Sequence, residues 1–193
     1  MVSRINVQKM GIAAILIAIG VIITLFSPVQ LVLEPASFTL ALHAPIFIAM
    51  FISPLVAISV AAGTTLGFLL GDFPIMIVLR AASHVLFALI GALYLQYRPQ
   101  ILSSSFQTLL FAFVIGIIHA WAEVTLVGLF DLSYAMPGTY YTASAVVLLI
   151  GLGGMAHSLV DFAIAIVALK FLTSQKALQP LFVTSRIIPP KAL

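Results

Sequence analysis

The sequence of 193 residues has no cysteine and very few charged residues, and both features exclude some classes of protein. Without cysteine, the chain has no disulfides, no thiolate metal ligands and no cysteine nucleophile. Only 7% of its residues are charged and 63% are hydrophobic, whereas soluble globular proteins are about 25% charged and about 45–50% apolar. A soluble enzyme of this composition has no way to cover its surface with polar groups. We therefore expect an integral membrane protein.

Long apolar runs predict an all-α fold, because a segment in lipid must satisfy its backbone hydrogen bonds internally. At about 20 residues per span, the chain length is typical of a bundle of six transmembrane helices. The second and third runs are short and meet at Ser53-Pro54, so they are also compatible with one broken hairpin that does not cross cleanly. The predicted spans are residues 7–26, 38–52, 55–70, 74–97, 106–130 and 141–171.

Charges outside these spans indicate how the bundle is oriented. With the N-terminus in the cytoplasm, most basic residues lie on the cytoplasmic side and three acidic residues lie in the outer loops, as the positive-inside rule requires. We expect a membrane domain over residues 1–173 with both termini in the cytoplasm, followed by a short cytoplasmic tail over 174–193, for which disorder is favoured over a position on the membrane surface. No nucleic-acid partner is expected, because topology and anionic lipid explain the basic excess. The residues concerned are Arg4, Lys9, Arg98, Lys170, Lys176, Arg186 and Lys191 inside, and Glu34, Asp72 and Asp131 outside.

Polar residues inside the spans mark a candidate site, since a charged group at membrane depth costs at least about 2.5–3.5 kcal/mol. Three consecutive spans each carry two polar residues four positions apart, which places both on one helix face. At about 1.5 Å per residue, Arg80 and Glu123 share an outer level and the histidines share a middle level. We expect these pairs to line one cavity open to the outside. They are Arg80 with His84, His119 with Glu123, and His157 with Asp161.

Three further features lie near the same level. Ser83 adjoins His84 and is included in the predicted binding site. Tyr141 is included as well, either as part of a lid over the cavity or as a member of an interfacial aromatic belt. Residues 34–39, between the first two spans, are compatible with a second lid.

Each polar pair also has a structural interpretation. Arg80 and Glu123 are compatible with a buried ion pair that only fixes the register of two helices. The sequence leaves open whether Asp161 and His43 are structural or functional. Histidine and carboxylate are metal ligands, but the His-Glu-x-x-His pattern of a metalloprotease is absent and we expect no metal.

A proton-coupled secondary transporter is the alternative from another class, since buried His, Asp and Glu are typical of proton relays. Such folds usually carry matching repeats in both halves, whereas the polar groups here are concentrated in the second half. The sequence contains no GxxxxGK[ST] phosphate loop, so the chain itself is not expected to hydrolyse ATP in the way that such a loop allows.

Several stretches of the first half carry a family resemblance: EPAS (34–37), HAPIF (43–47), FISP (51–54), GTTLGF (63–68), GDFP (71–74) and RAASH (80–84). With the small residues Ala14 and Ala18 in the first span and the polar pairs in the last three, they resemble the substrate-binding S components of energy-coupling factor vitamin transporters. The resemblance covers nearly the whole chain. The niacin-type members are most similar, and the pyridoxine-type members come next.

The resemblance implies a function and a set of partners. It implies high-affinity uptake of a small vitamin across the bacterial cell membrane, with no cofactor. It also implies a transmembrane coupling subunit driven by two ATPase subunits, with Ala14 and Ala18 as the docking surface. The small-xxx-small spacing of these two residues is typical of close helix packing.

The charges of the predicted site do not all favour the same vitamin. Arg80 suits a nicotinate carboxylate, because the planar guanidinium forms two parallel hydrogen bonds with it. The site nevertheless holds one arginine against Glu123 and Asp161, so it is net negative when the histidines are neutral. A neutral pyridine such as pyridoxine or nicotinamide avoids this conflict.

Overall fold

A computed structural model describes residues 4–33, 36–133 and 142–186, and most of these residues are helical, as the sequence predicts. The last helix is continuous and begins with a short α-helical stretch and a π-helical stretch before its long α-helical part. The elements are helix α1 (Arg4–Phe26), strands β1 (Gln30–Leu33) and β2 (Ala36–Thr39), helices α2 (Ala44–Met50), α3 (Pro54–Leu70), α4 (Ile75–Tyr97) and α5 (Ser105–Ser133), and helix α6, made of Ala143–Ala145, Val146–Gly153 and Gly154–Ser174.

Four helices among the described residues are long and apolar enough to cross a membrane. A further apolar helix, Pro54–Leu70, is shorter. At about 1.5 Å per residue its length approaches the thickness of a hydrocarbon core, about 30 Å. The four long segments are Asn6–Phe26, Ile75–Tyr97, Ser105–Phe130 and Val146–Ser174.

The prediction of one spanning helix over residues 38–52 is wrong. Residues of β2 pair instead with β1 in an antiparallel hairpin, with Gln30 opposite Thr39 and Leu33 opposite Ala36. A turn follows, in which Ala41 has a φ of 67° and so cannot lie in a right-handed helix. The helix that remains, α2, has seven residues and is only about 10 Å long.

The short helix α2 forms the centre of the molecule, and all its residues are buried. It packs against α1, α3, α4 and α6. The ring of Phe47 lies 5.5 Å from that of Phe87 on α4 and 5.2 Å from that of Phe162 on α6. Because α2 is surrounded by other helices, its first residues and the turn before it lie inside the bundle.

The first half of the C-terminal tail packs onto the bundle, although the sequence led us to expect disorder throughout the tail. Leu181, Phe182 and Val183 are buried in the same core as α2. The backbone amide of Val183 donates a hydrogen bond of 2.8 Å to the carbonyl of Phe51. This apolar triplet explains the difference, because burying it removes its side chains from water.

Helix α1 has two different faces. Ala13, Leu16 and Gly20 are buried, and the side chain of Ile17 occupies the space above Gly63 on α3. The opposite face carries Gly11, Ala14 and Ala18, which are all exposed. The small residues of the predicted docking surface are therefore not used for packing within the described part of the chain.

Candidate binding site inside the bundle

Arg80 and Glu123 form an ion pair between α4 and α5. The arginine donates from Nε to Oε1 of Glu123 at 3.2 Å and from Nη2 to Oε2 at 3.4 Å. Glu123 is 1% exposed and Arg80 is 8% exposed, so the pair is shielded from solvent. Helix α6 also shields the pair. It can approach closely because Gly154 has no side chain, and a methyl group there would lie 3.2 Å from Oε2 of Glu123.

Two histidines converge on the same carboxylate oxygen. Nε2 of His84 lies 3.3 Å from Oε1 of Glu123, and Nε2 of His119 lies 3.5 Å from it. His119 precedes Glu123 by one helical turn on α5, as the sequence spacing predicts. The contact of His119 does not have hydrogen-bond geometry, and neither of its ring nitrogens has a hydrogen-bond partner among the described residues.

His43 lies at the centre of the histidine cluster, although its position in the sequence gave it no partner. Its ring centroid is 4.6 Å from those of His84 and His119 and 4.9 Å from that of His157. Nδ1 of His43 is 3.0 Å from Oδ2 of Asp161, whereas Nε2 has no hydrogen-bond partner in the described part of the chain.

Asp161 is fully engaged by the turn before α2. Its Oδ1 accepts the backbone amide of Ala41 at 2.7 Å, and its Oδ2 accepts the amide of His43 at 2.8 Å. The side chain of Asp161 is wholly buried. A buried carboxylate needs such hydrogen bonds, and here they come from the backbone it positions.

The β-hairpin covers one end of the polar cluster. Nη1 of Arg80 donates to the carbonyl of Ser37 at 3.4 Å, and Nε2 of His157 lies 3.0 Å from the carbonyl of Thr39. The ring of Phe38 meets that of His157 edge-on at 5.5 Å. Strand β2 is thus attached to two side chains that the sequence assigns to the site.

A cavity of about 40 Å³ lies between the hairpin and the polar cluster. Ligand pockets for drug-sized molecules are typically about 300 Å³ or more, so a pyridine vitamin needs a wider cavity than this one. A larger cavity of about 530 Å³ lies at the Lys170 end of the bundle, but Lys170 is the only charged group among its lining residues that the structure describes. The small cavity is lined by Ser37, Thr39, His43, Arg80, His84, Glu123 and His157, together with Thr24, Gln30 and five apolar residues of the described chain.

Two residues of the predicted site are not brought into this cluster by any described contact. The hydroxyl of Ser83 donates to the carbonyl of Arg80 at 2.7 Å, so it is used within its own helix. Tyr141 lies outside the described residues, as do Glu34 and Pro35 of the second predicted lid. The cluster therefore holds Arg80, His84, His119, Glu123 and His157 of the predicted set, with His43 and Asp161 added.

A bundle of apolar helices around a buried group of charged and histidine side chains defines a multi-pass membrane protein with an internal polar cluster. The chain is 39% identical over 167 residues to the niacin transporter NiaX of Lactococcus lactis subsp. cremoris, covering 85% of this chain and 74% of that relative. No protein-family model and no solved structure matches it significantly.

The chain therefore belongs to the family of that transporter, the substrate-binding S components of energy-coupling factor transporters. This membership confirms the resemblance predicted from the sequence. It also confirms a transport protein of the cell membrane rather than an enzyme.

Proposed function

We propose that this chain captures niacin and takes it up across the cell membrane as the S component of an energy-coupling factor transporter. The observation that carries the proposal is its 39% identity to a niacin transporter over most of both chains. The buried Arg80 adds a chemical reason, because it offers a guanidinium group where an aromatic carboxylate would enter.

Arg80 would bind the carboxylate of nicotinate by exchanging part of its contact with Glu123. Among the described residues, its Nη1 has a single hydrogen bond, of 3.4 Å to the carbonyl of Ser37, so this nitrogen is the first available for a ligand. His84, His119 or His157 would bind the pyridine nitrogen. Tyr141 and Ser83 remain proposed site residues, with the tyrosine as a ring-stacking partner.

Charge favours a second candidate, a neutral pyridine such as pyridoxine or nicotinamide. Glu123 and Asp161 face one arginine in the described cluster, so the site is net negative when its histidines are neutral. An anionic vitamin must overcome this imbalance, whereas a neutral one does not.

Entry of the vitamin requires the β-hairpin to move. The cavity of about 40 Å³ is too small, and β2 covers it through the carbonyls of Ser37 and Thr39. Breaking those two hydrogen bonds would let the hairpin swing away from Arg80 and His157. The two described strands of the hairpin, residues 30–33 and 36–39, are therefore the proposed lid.

We propose six crossings with both termini in the cytoplasm, the second made jointly by the hairpin, the turn and α2. The end of the bundle that holds Phe51, Lys170 and Val183 would face the cytoplasm, with the tail from residue 174. The hairpin and Asp72 would face outside. This arrangement retains the charge distribution that the sequence shows.

Partners are proposed at the exposed face of α1. Ala14 and Ala18 are exposed and one helical turn apart, and Gly11 continues the stripe with open space around it. Such a stripe allows close approach of a second helix. The transmembrane coupling subunit, driven by two ATPase subunits, would dock there.

Calorimetric titration of the purified chain with nicotinic acid, nicotinamide and pyridoxine tests the substrate. Arg80→Lys keeps the charge that pairs with Glu123 but removes the planar fork. We expect it to weaken nicotinic acid binding at least about tenfold, the equivalent of one lost charged hydrogen bond. Arg98→Lys, at the exposed end of α4, is the matched control and should change nothing.

Tight binding of pyridoxine alone would retain the transporter assignment and overturn niacin as the vitamin. Equal nicotinic acid binding by Arg80→Lys and wild type would remove Arg80 as the carboxylate ligand. If none of the three compounds binds, the proposed function itself is wrong.

A further inference from the structure

Four buried side chains in the cluster have an arrangement that a vitamin site alone does not require. His43, His84, His119 and Glu123 can each offer one ligand atom such that all four atoms lie within 4.8 Å of one another. We propose that these four residues bind one divalent transition-metal ion of the zinc class. The proposal does not depend on which vitamin the chain carries, and with the metal bound, His157 would be the histidine that binds the pyridine nitrogen.

Distances around Glu123 match the edges of a tetrahedral site. Zinc binds histidine nitrogen at about 2.0–2.1 Å and carboxylate oxygen at about 2.0–2.2 Å, so neighbouring ligand atoms of a tetrahedron are about 3.3–3.5 Å apart. The Nε2 atoms of His84 and His119 lie 3.3 Å and 3.5 Å from Oε1 of Glu123. Two edges of the site are therefore close to their final length.

The unpartnered ring nitrogens point to a ligand. His119 is wholly buried, and His43 is 2% exposed. Nε2 of His43 and both ring nitrogens of His119 have no hydrogen-bond partner among the described residues. Leaving buried nitrogens without partners is costly, and a single metal ion would satisfy one nitrogen of each ring.

Neighbouring carboxylate and guanidinium groups hold the ligands in the required orientation. Nδ1 of His43 is 3.0 Å from Oδ2 of Asp161, which leaves Nε2 to bind the metal, as in carboxylate–histidine–metal arrangements. Arg80 donates from Nη2 to Oε2 and from Nε to Oε1 of Glu123, which fixes the carboxylate and leaves the second lone pair of Oε1 for a metal. Asp161 and Arg80 are thus positioning residues for the site.

The ligand types select the class of metal. Three imidazoles and one carboxylate suit zinc and its transition-metal neighbours, whereas Mg²⁺ and Ca²⁺ prefer oxygen ligands. Charge also permits a cation, because Glu123 and Asp161 outweigh Arg80 by one negative charge. A divalent ion would make the cluster net positive by one, which would favour an anionic ligand beside it.

A second cluster, His43 with His157 and Asp161, competes for the same histidine. Asp161 already accepts hydrogen bonds from the backbone amides of Ala41 and His43. His157 lies 3.0 Å from the carbonyl of Thr39. These groups are engaged by other parts of the chain, so the four-residue cluster is the better site.

The test uses the full chain purified in detergent, stripped of metal with a chelator and kept without vitamin. Titration with Zn²⁺ in a calorimeter should show one ion per chain, and Mg²⁺ should show no binding. Titration with Co²⁺ should produce the intense visible absorption of a tetrahedral site. His119→Ala should weaken Zn²⁺ binding by more than about 100-fold, since loss of outer groups alone typically costs 10–100-fold.

His157→Gln is the matched control, because glutamine can still donate to the carbonyl of Thr39. The Zn²⁺ affinity of this variant should stay within about tenfold of that of wild type. A loss of Zn²⁺ affinity in His157→Gln with none in His119→Ala would place the ion at the other cluster and overturn the proposal. So would the absence of stoichiometric Zn²⁺ binding by the wild type. X-ray absorption of the Zn²⁺-loaded wild type tests the ligands without any variant, and a shell with fewer than three imidazoles would refute the site.

Discussion

The carboxylate of Asp161 binds both the backbone amide and the ring of His43, 118 residues earlier in the chain. Its other oxygen holds the amide of Ala41 at 2.7 Å. One side chain of α6 thereby fixes the turn that precedes α2. It also fixes His43 at the centre of the histidine cluster, so the shape of the site depends on a residue outside the cavity lining.

Replacing Asp161 with asparagine should destabilise the protein. The new amide group cannot accept three hydrogen bonds, and a hydrogen bond to a charged group contributes about 1.5–3 kcal/mol. We expect Asp161→Asn to lower the free energy of unfolding by about 2 kcal/mol or more. The midpoint of thermal unfolding in detergent, followed by loss of the monodisperse peak, measures the effect.

Asp72→Asn is the matched control for that substitution. Asp72 is exposed and lies at a φ of 56°, a conformation that asparagine tolerates well. Asp72→Asn should leave the midpoint of thermal unfolding unchanged. Equal midpoints for Asp161→Asn and Asp72→Asn would mean that Asp161 does not hold the turn.

Replacing Ala41 with glycine should have the opposite effect. Ala41 has a φ of 67°, and the left-handed conformation costs an alanine about 1–2 kcal/mol. Glycine adopts it freely but loses about 0.5–1 kcal/mol more entropy on folding. We expect Ala41→Gly to raise the unfolding free energy by about 0.5–1 kcal/mol.

Ala163→Gly on the exposed side of α6 provides the comparison, because the same substitution in a regular helix should destabilise by about 0.5–1 kcal/mol. Both variants are measured by the same thermal unfolding experiment. A lower midpoint for Ala41→Gly than for wild type would show that the turn is not strained.

The sequence predicted much of the polar cluster because helical spacing alone connects its members. Arg80 with His84 and His119 with Glu123 share helix faces, and these four residues do meet in the structure. His43 was missed as a member because it precedes α2 and is brought in by a turn. Only the tertiary contact with Asp161 shows where that histidine lies.

The sequence predicted the helices that long apolar runs determine. It did not predict the segment whose backbone hydrogen bonds are made in a β-hairpin instead of a helix. Helices α1, α4, α5 and α6 follow the hydropathy of the sequence. Residues 38 and 39 begin the apolar run that was predicted to be a helix, but residues 36–39 pair with β1 in a hairpin at one end of the bundle. Hydropathy reports burial and does not distinguish a strand from a short helix in such a run.

The exposed face of α1 should be required for assembly but not for vitamin binding. Leucine at Ala14 or Ala18 would hold a neighbouring helix away, because the small-xxx-small spacing no longer permits close approach. We expect Ala14→Leu and Ala18→Leu to lose co-purification with the coupling and ATPase subunits. Calorimetric vitamin binding by the isolated chain should remain.

Ala163→Leu, an equal enlargement on exposed α6, is the control for assembly and should co-purify normally. Normal assembly of both α1 variants would place the docking surface elsewhere. Loss of vitamin binding in those variants would mean that this face supports the bundle itself.

The other face of α1 depends on glycines of α3, and substitution there should destabilise the bundle. A methyl group at Gly63 would overlap the side chain of Ile17, and one at Gly67 would overlap Val21. Overpacking of this kind typically costs about 1–3 kcal/mol, so Gly63→Ala should lower the thermal midpoint. Gly11→Ala is the matched control, because nothing lies near its added methyl group. Because alanine is also the better helix former, the thermal midpoint of Gly11→Ala should match or exceed that of wild type. A Gly63→Ala midpoint equal to that of the control would contradict close packing of α1 on α3.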